Sequence, residues 1–123
     1  RTMDRPTRAA KIAELWKQLH WLEKHIKGPY LAGISLSHAD MTWFPTCVFM
    51  EFMLPRVFGW RNVVEDREHF PRLCEWYSLL SSEEVFRQTR QEIWDFWVQK
   101  EREGQFEPIK DEVKDPSYKW KYP

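Results

Sequence analysis

The sequence predicts an all-α protein, a bundle of four main helices with an extended C-terminal tail. Three observations carry that expectation. Apolar residues recur at three- and four-residue intervals in four separate segments, as helix faces that pack on one another require. Glycines close several of those segments, at Gly28, Gly59 and Gly104. No stretch of the first 104 residues alternates as a strand does. The expected division is a helical domain over residues 1–104 and an extended aromatic and charged tail over residues 105–123.

In residues 7–27 the positions Ile12, Leu15, Trp16, Leu19, Leu22 and Ile26 share one helix face. Pro6 suits the entry, where its missing N–H costs nothing, and Gly28-Pro29 predicts the stop. The second helix is expected from Ser37 to about Phe58, ended by Gly59. Ser37 and Asp40 stand at the spacing of a capping box, in which side chains and backbone N–H groups of the first turn satisfy one another. An aspartate there also suits the positive end of the helix dipole. The run "MTWFPTCVFMEFML" is apolar nearly all round, as in a helix buried at the middle of a bundle. Pro45 and Pro55 predict a kink or an interruption within it.

A third helix is expected over about Glu68–Leu80, with Phe70, Leu73, Cys74, Tyr77 and Leu80 as its stripe. Ser81 or Ser82 is expected to cap the fourth, which runs through Phe86, Ile93, Phe96 and Trp97 to Gly104. In the tail, "YKWKYP" alternates aromatic and Lys residues, which puts Tyr118, Trp120 and Tyr122 on one side of an extended segment. Two readings stand for that segment: it lies across its own domain, or it reaches a partner.

Composition narrows the function. A chain of 123 residues has room for one domain with a real core. Lys plus Arg and Asp plus Glu are equal at 19 each, so no global field recruits nucleic acid or an anionic membrane. Eight Trp in so short a chain imply that some rings face a ligand, a partner or another domain. Cys47 and Cys74 have no metal-type spacing and are read as reduced core residues. With no apolar run of membrane-spanning length, the expectation is a soluble protein of a reducing compartment, cytosol or organelle stroma or matrix. The first residue is Arg, so the chain is expected to be a piece of a longer protein.

Catalytic and metal chemistry find little support. His20 and His25 in "HWLEKH" are five residues apart. That is about 140° around a helix, so they do not share a face as two zinc ligands must. With four glycines the sequence offers no phosphate-cradling loop. Basic and aromatic residues mix near the C-terminus, but neighbouring acids cancel the charge that nucleic acid would need. No catalytic residue and no metal site is assigned.

The order "GPYLAGISLSHADMTWFPTCVF" followed by "HFPRLCEWYSLLSSEEVFRQT" resembles the C-terminal, all-helical domain of the glutathione transferases. In that family a turn with an aromatic, Leu and Gly leads into a Ser-x-x-Asp capping box, here Ser37 and Asp40, often with a proline soon after, here Pro45. A Pro-x-Leu-x-x-Trp helix follows, here Pro71, Leu73 and Trp76. The resemblance covers about residues 7–100 and departs from the family at the bulky Trp43 and Phe44. It implies that the capping box is a folding element. It also implies that the chemistry belongs to a thioredoxin-like domain that binds glutathione and is absent from this sequence.

Two functional readings follow from the resemblance. The chain is the C-terminal half of a glutathione transferase, supplying the apolar acceptor-substrate side and the interface to the thioredoxin-like domain. Alternatively it is a non-catalytic assembly module, as in elongation factor gamma subunits, aminoacyl-tRNA synthetases or a subunit of a larger complex, with a homodimer as one form. In either case this segment alone is not expected to be an enzyme, and glutathione is implied only for a catalytic parent. Trp43, Phe44, Tyr118, Trp120 and Tyr122 are the expected contacts to an apolar ligand or partner.

Overall fold

The structure, a computed structural model, describes residues 3–115, 117 and 120. Five helices follow in chain order, and no strand is present among the described residues: α1 (Arg5–His25), α2 (His38–Phe58), α3 (Pro71–Ser81), α4 (Glu84–Arg102) and α5 (Glu107–Val113). The all-α expectation holds.

α1 opens with Asp4, whose carboxylate accepts the Thr7 N–H at 2.8 Å, and closes at Ile26, two residues before Gly28-Pro29. The turn to α2 is narrow. Tyr30 and Gly33 exchange backbone hydrogen bonds at 3.0 and 3.3 Å, and the Lys27 N–H reaches the Leu31 carbonyl at 3.2 Å. Gly28 runs so close to this turn that a Cβ would lie 2.7 Å from the Gly33 carbonyl oxygen.

α2 is the central element, in contact with α3, α4 and α5. Phe44, Cys47, Val48 and Phe52 are fully buried along it, and Gly59 ends it in the left-handed conformation, φ 69°. Of the kink or interruption expected at Pro45 or Pro55, the interruption does not occur: both lie inside one continuous helix. Burial along its length outweighs the ~3 kcal/mol that an interior proline costs.

α3 starts three residues later than expected. Proline disfavours helical geometry in the residue before it, and Phe70 accordingly takes φ −133°, ψ 54° outside the helix. With no side chain of its own to cap it, α3 receives one from α1: the Glu23 carboxylate accepts the Arg72 and Leu73 N–H groups at 3.1 and 2.8 Å. Nor does a serine cap α4. The Ser82 hydroxyl donates back to the Leu79 carbonyl at 2.6 Å, closing α3, so Glu83 becomes the first residue of the α4 entry. α4 packs Ile93, Trp94, Trp97 and Val98 on the core and leaves Phe96 53% exposed.

The tail is not extended throughout. Residues 107–113 form α5 against α2, with Pro108 in the first turn, where proline begins a helix rather than breaking it. Beyond it Trp120 is buried. Its carbonyl accepts the Trp60 indole N–H, its own indole N–H donates to the Asp115 carbonyl at 3.1 Å, and its ring lies 5.7 Å from Phe58. This residue of the tail lies across its own domain, while Tyr118 and Tyr122 fall outside the described residues.

Candidate functional site

Asp40 has no exposed surface and, among the described residues, no cationic partner, and its carboxylate accepts four hydrogen bonds. Oδ1 accepts the Leu31 N–H at 2.9 Å and the Trp76 indole N–H at 2.7 Å. Oδ2 accepts the Ser37 N–H at 2.9 Å and the Ser37 hydroxyl at 3.1 Å. Burial alone would push this acid up, but these hydrogen bonds outweigh it and hold the carboxyl below its ordinary value. Ser37 and Asp40 thus form the capping box, and Asp40 also ties the preceding turn to α3. A carboxylate saturated in this way has no lone pair to lend to a substrate.

The two thiols are equally unsuited to nucleophilic work. Both are buried, and burial pushes Cys47 up to about 12 and Cys74 up to about 11. At neutral pH they are thiols rather than thiolates. Activating glutathione needs a free hydroxyl or a low-pKa cysteine beside donors, and these residues do not fit that task.

The structure separates the aromatic candidates. Trp43 is half-buried and, with Gln18, Trp21 and Leu22, lines a cavity of about 280 Å³ between α1 and α2. Trp21, 61% exposed, stacks on His25 at 4.1 Å and was not singled out in the sequence. Ile34, Leu36 and Met41 are also exposed in this part of the chain. Phe44 requires correction as a surface contact: it is fully buried, stacked on Tyr77 at 5.2 Å and edge-on to Phe86 at 5.0 Å. It stands one position from Trp43, about 100° around the helix, and that turn takes it from rim to core. Trp120 likewise faces inward and presents no open surface.

A second buried carboxylate escaped sequence reasoning. Glu51 accepts the Tyr77 hydroxyl at 2.8 Å, the Arg90 Nη2 and Nε at 2.8 and 3.2 Å, and the Asn62 amide at 3.1 Å. One acid thereby joins α2, α3, α4 and the α2–α3 loop, and burial together with its charge pushes the Tyr77 phenol up. The signal was present, since Glu51 is the lone charge between Asp40 and Arg56.

Asp66, Glu68 and His69 each place a potential ligand atom within 4.8 Å of the others. Asp66 is already engaged, holding His69 Nδ1 at 2.8 Å, accepting the His69 N–H at 3.2 Å and facing the Arg61 guanidinium at 3.4 Å. The guanidinium disfavours a second cation there, and the trio serves to brace the entry to α3.

With the capping box, the buried α2 and the Trp76 anchor in place, comparison with known families is decisive. The family model described as glutathione S-transferase, C-terminal domain, matches residues 5–78. The chain belongs to this family. The match runs from the start of α1 through most of α3, and α4 and α5 lie beyond it. No curated protein and no solved structure matches the chain. Ser37 and Asp40 make the capping box at the start of α2, within the matched residues. Among the described residues, no helix is long and apolar enough to cross a membrane.

Proposed function

We propose that the chain is the C-terminal helical half of a glutathione-transferase-like protein. It supplies the apolar acceptor-substrate side and docks a thioredoxin-like domain that binds glutathione. The family match over residues 5–78 carries this reading, and the exposed indole of Trp21, beside Trp43 at the cavity between α1 and α2, supports it. In this arrangement the thiolate chemistry resides in the other domain, and this chain binds and orients the apolar co-substrate. The second reading, a non-catalytic assembly module in a dimer or larger complex, uses the same exposed residues to hold a partner. The 61% exposure of the Trp21 ring, a large apolar surface that a partner would cover, favours it.

The test is a pair of titrations of residues 1–123 followed by Trp fluorescence. Glutathione is expected to give no saturable change, and a model electrophile no conjugation. The apolar dye ANS is expected to bind, several-fold more weakly after Trp43→Ala. Saturable glutathione binding would overturn the division of labour, and dye binding unchanged by Trp43→Ala would remove the cavity from it.

A further inference from the structure

A different cavity, of about 320 Å³, opens between α2, α3, α4 and the loop after α2. Its walls hold more uncommitted donors than acceptors. Ser81 Oγ is buried there with no hydrogen-bond partner among the described residues, and Ser78 adds an exposed hydroxyl. Arg67 lines the cavity and makes no ion pair among the described residues. Arg90 is held rigidly, with Nε and Nη2 spent on Glu51 and Tyr77 and Nη1 left over. The Glu51 oxygens, by contrast, already accept the Tyr77 hydroxyl, Arg90 and Asn62. Glu65 is the one carboxylate on the wall not consumed in this way.

A buried hydroxyl without a partner costs free energy, and rotation of the Ser81 side chain about χ1 would bring it to an acceptor in the cavity. Guanidinium and hydroxyl donors that line one space match the several acceptor oxygens of an oxyanion. We propose that this cavity binds a small oxyanion, a carboxylate or a phosphate group, with Arg67, Arg90, Ser78 and Ser81 as donors. Glu51 cancels the charge of Arg90 and Glu65 opposes that of Arg67. Recognition therefore comes from directed hydrogen bonds rather than from a net positive field, and Glu65 weakens it.

The proposal is tested by ¹⁵N NMR titration of residues 1–123 with sodium acetate, sodium phosphate and, at matched ionic strength, sodium chloride. Saturable shifts are expected at the Ser78 and Ser81 amides and at Arg90 Nε with an oxyanion and not with chloride. Acetate alone would identify the ligand group as a carboxylate, and phosphate alone as a phosphate. Arg67→Gln and Ser81→Ala should each weaken binding about tenfold, the size of one charge-assisted hydrogen bond, and Glu65→Gln should tighten it. Arg67 is exposed and Ser81 Oγ partnerless, so a thermal melt should find both variants folded. Absence of saturable shifts with either oxyanion, or shifts unchanged by both Arg67→Gln and Ser81→Ala, would overturn the proposal.

Discussion

Replacing Asp40 by alanine should remove a large part of the stability of this fold. The carboxylate accepts four hydrogen bonds, from Leu31, from Trp76 and twice from Ser37. Its loss leaves the Leu31 N–H and the Trp76 indole N–H inside the core with nothing to bond. Each unsatisfied buried donor costs about 1–3 kcal/mol, so with two of them Asp40→Ala is expected to lose about 2–6 kcal/mol. That is a large share of the ~5–15 kcal/mol that stabilises a domain of ordinary size. Asp40→Asn should cost less, about 1–2 kcal/mol. Its oxygen can keep Leu31 and Trp76 while its amide meets the Ser37 N–H donor to donor.

The pH dependence distinguishes charge from shape. The carboxyl is held below its ordinary value in the folded chain, so its contribution is fully present above the unfolded value of ~3.9. That contribution is lost as pH falls through the folded value. The gap between wild type and Asp40→Asn should therefore be constant near neutrality and shrink in acid. Urea melts followed by Trp fluorescence measure both quantities. An Asp40→Ala midpoint shift worth less than ~0.5 kcal/mol, the scale of a surface substitution, would refute the assignment of Asp40 as the central tie.

Two further outcomes are expected. Trp120→Ala should lower stability by about 2 kcal/mol, the value of burying one large ring, and a denaturant melt coincident with wild type would mean that Trp120 is not docked on Phe58 and Trp60. With burial pushing Cys47 up to about 12 and Cys74 up to about 11, even Cys74 carries roughly 100-fold less thiolate at neutral pH than a free cysteine. Labelling by a disulfide reagent should then track unfolding in urea, and rapid labelling of the native chain would contradict that burial.

The parts of the fold legible in the sequence are those specified by neighbours in the chain. α2 was bounded correctly because Ser37, Asp40 and Gly59 act locally, through a capping box and a left-handed stop. α3 was misplaced at its start because Pro71 governs the residue before it more strongly than the periodicity of Phe70 suggests. α5 was not expected in the segment read as an extended tail, although its Pro108 is at home in the first turn of a helix. The contacts that assemble the bundle were not legible, since they join residues distant in sequence. Nothing near Pro71 announces that Glu23 will cap α3, and nothing near Glu51 names Arg90. Of the candidate contacts, Trp43 was found beside a cavity, while Phe44 needed the helix phase that only packing fixes.

The ion pairs between α1 and the end of α5 tie the first helix of the chain to the last. Arg5 reaches Asp115 at 2.8 Å and Arg8 reaches Glu112, so the beginning of α1 and the segment just after α5 share one pole of the molecule. The Arg5–Asp115 pair, with its arginine exposed, is worth little, while Arg8 and Glu112 are largely shielded from solvent and are screened less. Whatever loosens the start of α1 therefore also loosens α5, and added salt weakens the exposed pair before the shielded one.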